Sequence, residues 1–145
     1  MSATAPGTLR RYLIRRILII TGLLTIPSSR LVAQSRTTQT GVYSAEQAAR
    51  GEEVYAGMCK SCHAAATHTG VAFEKSWDGR SLSELFGYIS TKMPKNEPGS
   101  LAPEEYADVL AYLLKLNQMP VGKTELPPDT TVLGRIRIET HTSRK

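Results

Sequence analysis

The stretch Met58-Cys59-Lys60-Ser61-Cys62-His63-Ala64 decides how the rest of this sequence is read. It holds the only two cysteines of a 145-residue chain, with a histidine directly after the second. Each chemistry open to a Cys-x-x-Cys pair makes its own demand on the surroundings. A thioredoxin-like dithiol wants a βαβ context, and no strand-like segment precedes Cys59. A structural zinc site needs four ligands. Cys59, Cys62 and His63 supply three, and only His68 and His141 remain. A disulfide across so short a loop is strained and uncommon.

The full pattern, C-x-x-C-H, is the attachment signature of c-type haem. Its spacing has a physical reason. Each thiol adds to one haem vinyl group, which makes two thioethers. The adjacent His63 is then carried under the iron as its proximal ligand. The expected cofactor is therefore one covalent haem c.

The sequence upstream fits this chemistry, because haem attachment in bacteria takes place outside the cytoplasm. Residues 1–33 hold Arg10, Arg11, Arg15, Arg16 and Arg30 and no acid. An apolar run, "ILIITGLLTI" at 17–26, is broken by Pro27-Ser28-Ser29, and "LVA" ends at the small Ala33. This order is that of a signal peptide, so 1–33 is expected to direct export and the mature protein to be periplasmic. The run is short of the ~18 residues of a spanning helix, so no stable membrane span is expected after cleavage. Retention of the segment would leave the protein membrane-associated. The leader also explains the net charge of +5 and pI near 9.4. Beyond residue 33 the chain carries 13 bases and 13 acids. A global field for nucleic acid has no support there. At 41% hydrophobic residues the chain is not wholly disordered, and its length fits one modest domain.

Downstream of the leader, 34–42 is polar and reads as a flexible start. A helix is expected over 44–58, with Ser44 as N-cap and Gln47 as its capping-box partner. Ala48, Gly51, Tyr55 and Met58 fall on one face of it. The stretch 59–80 reads as a loop. A second helix over 81–90 has its own capping box, Ser81 and Glu84, and an apolar stripe of Leu82, Leu85, Phe86 and Ile89. Two prolines and a glycine make 91–101 a loop. Pro103 suits the first position of a third helix ending near Asn117, although Ala102 is a poor N-cap. Tyr106, Val109, Leu110, Leu113 and Leu114 form its buried face. The tail 121–145 reads as irregular, with a strand-like "RIRIE" at 135–139. The expected class is all-α, with about three main helices. That core is thin for its length, and a large apolar cofactor would fill the middle.

Over residues 43–117 the sequence resembles the class I cytochrome c family. Gly51 stands eight residues before Cys59 and Tyr55 four before it, where the family has a glycine and an aromatic. Val109 and Tyr112, three apart, match the other half of the family's helix crossing. The resemblance implies a cytochrome c domain over 43–120 wrapped around one haem. The wording Thr91-Lys92-Met93-Pro94, then "EPGSL", then "PEEYADVLAYLLKLN", is similar to small periplasmic cytochromes found with quinoprotein (PQQ) dehydrogenases. The family places its sixth ligand in the loop between the second and third helices, which implies Met93, with Met119 and His68 as alternatives. Two departures stand out. Ala64 follows His63 where glycine is frequent, and no proline follows within thirty positions to offer a carbonyl to the His63 ring. Some other carbonyl is expected to orient it.

Other residues are read around this centre. Trp77 is expected at the haem edge with its N–H toward a propionate, and Arg80 near propionate charge. Ordinary packing for Trp77 and a solvated Arg80 are the competing readings. Lys60, Lys75, Lys92 and Lys95 flank the two loops, as a docking ring or as scattered solvated charges. Tyr88 is expected in the core. His63/Met93 ligation raises the potential and leaves the iron no open position. The function expected is single-electron transfer by a carrier, not an enzyme, from a dehydrogenase donor toward a terminal oxidase or another cytochrome. A haem subunit held permanently in a dehydrogenase complex is the second expectation, and a sensor or catalyst with an open iron the third.

Overall fold

The computed structural model describes residues 36–140, and the expected signal peptide lies outside them. Five α-helices are found among the described residues: α1 Ala45–Met58, α2 Gly70–Trp77, α3 Leu82–Lys92, α4 Pro103–Leu116 and α5 Thr130–Leu133. Two short strands, β1 Arg36–Thr37 and β2 Ile136–Arg137, pair in parallel. The protein is mostly helical, as expected. No helix of the described residues is long and apolar enough to cross a membrane.

The helix starts follow from their caps. Ser44 is extended and its hydroxyl accepts from the Gln47 N–H at 3.1 Å. The reciprocal half of the expected box does not form, because the Gln47 side chain turns inward, 1% exposed. There it donates to the Leu126 carbonyl at 2.9 Å and accepts from the Leu126 N–H at 2.8 Å. A buried amide needs a donor and an acceptor, and one backbone unit supplies both. The Ser81–Glu84 box of α3 is complete: Ser81 Oγ accepts from the Glu84 N–H and Glu84 Oε2 from the Ser81 N–H. At α4 the alanine cap is offset by Glu105, whose carboxylate accepts from the Ala102 N–H at 2.8 Å.

Helix α4 is the axis of the fold, buried at every position from 106 to 114. It packs on α1 and on α3. The crossing with α1 is at Gly51, where a Cβ would lie 1.9 Å from the Asp108 carbonyl oxygen. Only glycine permits that approach. Tyr55, one turn on, meets Tyr112 with ring centroids 5.3 Å apart. Arg50 closes the outer side of the crossing, with two hydrogen bonds of 2.9 Å to Asp108 and bonds of 3.0 and 2.9 Å to Glu125.

Three expectations are corrected. The loop 59–80 contains α2, which buries Phe73. Eight residues with one buried apolar side chain leave too little periodicity to read. The described parts of the expected flexible start and irregular tail, 36–42 and 121–140, are both packed on the helices. Val42, Tyr43, Leu126, Leu133, Ile136 and Ile138 are buried. Thr38 Oγ1 accepts from the Glu139 N–H and donates to its carbonyl, and Ile138 exchanges backbone hydrogen bonds with Gly79 and Arg80. Gly122 lies against the Gly41 carbonyl, where a Cβ would stand 1.8 Å away, and donates to Tyr43 O at 2.7 Å. These pairings join residues far apart in the chain, 101 positions for Thr38 and Glu139, beyond the reach of local pattern.

Two outcomes follow from this packing. Gly51→Ala should push α1 off α4 and cost about 3 kcal/mol or more, read as a lowered urea midpoint of the haem-loaded protein. The Arg50 guanidinium holds the Glu125 carboxyl below its ordinary 4.5. A lowered folded-state value contributes stability above pH 4.5 that is lost as pH falls through it. Glu125→Gln should therefore flatten the acid limb of a stability–pH curve below 4.5, and an unchanged limb would show the pairing to be inert.

Candidate haem-binding site

The attachment motif is a tightened continuation of α1. The N–H groups of Cys59 and Lys60 both donate to Tyr55 O at 2.9 Å, and those of Cys62 and His63 to Cys59 O at 3.1 and 2.9 Å. Successive turns thus keep both sulfurs and the imidazole at one end of the helix. Tyr55 Oη donates to the His63 carbonyl at 3.0 Å and fixes the exit of the motif. Cys59 is half-buried, Cys62 exposed, and the two are not joined. Burial pushes the Cys59 thiol up from its ordinary value, which keeps it protonated at neutral pH.

This end of α1 faces a cavity that is open to solvent on one side. Cys59, Cys62 and His63 form one part of its wall. Phe73 and Trp77 of α2, Leu85, Tyr88 and Ile89 of α3, and Tyr106, Val109 and Leu113 of α4 supply the rest, with Met93 and Pro94 beyond α3. The lining is chiefly apolar and aromatic, interrupted by two thiols, imidazole nitrogen and a thioether. That donor set and that wall fit a covalently held haem. A zinc site does not fit. Among the described residues no group of three or more His, Cys, Asp or Glu could hold a metal ion.

The methionines are separated by this geometry. Met93 caps α3, its N–H donating to Ile89 O at 3.1 Å, and it lines the cavity. Tyr106 Oη donates to the Met93 carbonyl at 2.7 Å. The sequence marks Tyr106 only as core. Its signal was there, since a 4% exposed tyrosine needs a partner for its hydroxyl. Met119 is 3% exposed, its carbonyl takes the Tyr43 hydroxyl at 2.7 Å, and it is not among the residues of the wall. His68 is on the wall, its ring 4.8 Å from that of His63. Burial, then the neighbouring His63, pushes the His68 imidazole below its ordinary value, so it is neutral at pH 7.

The remaining expectations divide. Trp77 lines the cavity, whereas Arg80 does not. The guanidinium of Arg80 lies over the Trp77 ring at 4.7 Å and pairs with Glu84 at 2.9 Å. Tyr88 is not core. It is 49% exposed and meets Trp77 edge-on at 5.7 Å on the cavity wall. Leu85 and Ile89 take the inward face of α3, which turns Tyr88 to the rim. Lys60, Lys75, Lys92 and Lys95 are exposed, and only Lys95 of the four borders the cavity.

Residues 46–113 match the family described as "Cytochrome C oxidase, cbb3-type, subunit III". Neither the curated proteins nor the solved structures yielded a match. The match begins in α1, ends in α4, and takes in the attachment motif, α2, α3 and the Met93 loop. A chain segment that carries a Cys-x-x-C-H turn at the mouth of an apolar cavity, inside this family's span, performs haem-based electron transfer. Residues 46–113 are accordingly a class I c-type cytochrome domain, with haem c bound covalently.

Proposed function

We propose that this protein is a periplasmic one-electron carrier in which Cys59 and Cys62 hold the haem as thioethers and His63 and Met93 are the axial ligands. The observation that carries this reading is that these four side chains line one cavity, while Met119 does not. Bound haem supplies a ferric/ferrous couple. The chain's residues do the rest. Phe73, Leu85, Ile89, Val109 and Leu113 line the cavity and would exclude water from a haem held there, and a low dielectric favours the state of lower charge. A thioether from Met93 favours ferrous iron relative to a second imidazole, so it raises the potential. With His63 and Met93 as its protein ligands the iron would keep no open position for a substrate, which is carrier chemistry.

The leader-like composition of 1–33 supports export. The similarity around 91–117 to cytochromes of quinoprotein dehydrogenases supports such an enzyme as electron donor, with a terminal oxidase or another cytochrome as acceptor. Exposed Met58 and Tyr88 at the cavity, with Lys95 on its border, offer contact to either partner. A second reading, a haem subunit held permanently in an oxidoreductase complex, is favoured by the description of the matching family as an oxidase subunit. Co-purification of a stoichiometric large partner with the native protein distinguishes it from a free shuttle.

The full chain, produced with haem-maturation machinery, should keep its haem through a denaturing gel. The oxidised protein should show the weak methionine–iron charge-transfer band. Met93→Ala should lose that band and gain carbon monoxide binding when reduced, with haem still attached. A band that survives in Met93→Ala would defeat the assignment. Tyr106→Phe removes the hydroxyl that holds the Met93 carbonyl, worth about 1–1.5 kcal/mol. It should shift the equilibrium between bound and released Met93 roughly tenfold toward release, read as loss of the same band on milder heating.

A further inference from the structure

Trp77, the single tryptophan of the chain, ends α2 on the cavity wall. The helix itself holds it weakly. It has eight residues, no side-chain cap at its start, and Phe73 as its one buried residue. Isolated helices shorter than ~12–15 residues are marginal in water, so the position of Trp77 depends on contacts from outside α2. Tyr88 meets the indole edge-on at 5.7 Å, and the Arg80 guanidinium lies over it at 4.7 Å. The second contact depends on where the corner 78–81, between α2 and α3, is set.

That corner is held by a segment from the far end of the chain. The Gly79 N–H donates to Ile138 O at 2.8 Å, and the Ile138 N–H to Arg80 O at 2.7 Å. The Arg137 guanidinium donates to Gly79 O. Asp78 Oδ1 accepts twice from Thr140, from its N–H at 2.7 Å and from its hydroxyl at 2.9 Å. The segment 136–140 is itself fixed. Ile136 and Ile138 are buried, β2 pairs with β1, and Thr38 and the Gln39 amide hold the Glu139 backbone. Gly79 and Arg80 are thus tied through their backbone, and Asp78, directly after Trp77, through its carboxylate. Hydrogen bonds to an ionised acceptor are about twice as strong as neutral ones, and two converge on one oxygen here.

We propose that Asp78 is the positioning residue of Trp77, holding the indole against the haem through its two bonds to Thr140 on the clasp 136–140. The inference rests on the reading of the cavity as the haem site. A large aromatic ring kept on the wall excludes water, and the low dielectric there favours the iron state of lower charge. Asp78 therefore supports the potential without lining the cavity.

The test uses the full haem-loaded chain. With one tryptophan, the indole N–H gives a single ¹H–¹⁵N signal, and the haem ring current displaces it from the position of indole in water when the ring lies against the haem. The reduced wild type should show that displacement. Asp78→Ala should lose most of it, with the methionine–iron band of the oxidised form retained. Asp78→Asn, whose amide oxygen can accept from both Thr140 donors, should keep it. Thr140→Val removes one of the two donors and should move the signal the same way by a smaller amount. Asp78→Ala and Asp78→Asn remove the same charge, so the difference between their potentials reports position alone. Asp78→Ala should lie roughly threefold further toward the oxidised form, about 28 mV lower at ~59 mV per tenfold for a one-electron couple. No displacement in the wild type, matching signals and potentials in Asp78→Ala and Asp78→Asn, or an unmoved signal in Thr140→Val would overturn the role of Asp78 while leaving the haem reading intact. Absence of covalent haem from the wild type would defeat both.

Discussion

The close approach of α1 and α4 at Gly51 is the constraint on which the rest of the structure depends. With no Cβ on Gly51, the α1 backbone rests on the Asp108 carbonyl. The depth of that contact determines where the C-terminal end of α1 arrives, and that end is the attachment motif. It also turns Tyr55 onto Tyr112, and brings Val109 and Leu113 of α4 to the cavity that Cys59 and His63 border. Arg50 strengthens the crossing from outside through Asp108, whose side chain is little exposed, and Glu125, half in solvent. The inner of these two pairs is the better protected from solvent screening.

The second organising fact is that this domain builds a wall where a protein of its size would build a centre. Helices α2, α3 and α4 turn aromatic and aliphatic residues toward a shared cavity. Tyrosine hydroxyls then tie the two ends of the site to the scaffold, Tyr55 to the His63 carbonyl and Tyr106 to the Met93 carbonyl. Each tyrosine has its ring buried among helices and its hydroxyl on a backbone oxygen. Helix packing and site geometry are thereby one set of interactions. The same holds for Asn117, which ends α4 and clamps the His68 turn.

Much of this was legible in the residues. The caps at Ser44 and Ser81, the stripe Leu82, Leu85, Phe86 and Ile89, and the buried face of α4 are local patterns, decided by hydrogen-bond chemistry within a few positions and by the 3.6-residue period. The two cysteines and His63 carry their meaning in their spacing. What escaped was non-local. Gln47 looked like a capping partner, but a buried backbone unit at Leu126 was a better match for its amide. Tyr88 was expected in the core although it lies off the stripe of α3, and the structure puts it on the rim of the cavity. The flanks looked flexible and irregular because two-residue strands have no periodicity, and their stability comes from partners such as Glu139 and Gly122 far along the chain.

The sequence by itself determined the class of fold and the chemistry: helices with their starts, a thiol–thiol–imidazole turn, and a glycine where two backbones must meet. These are properties of short stretches, in which each residue answers to neighbours a turn or two away. The tertiary structure alone decided which hydroxyls and amides hold the His63 and Met93 turns, and that the described parts of both flanks belong to the packed unit. Those choices rest on contacts between residues as many as a hundred positions apart, and such contacts exist only once Gly51 has settled on Asp108 and the chain has closed around the cavity.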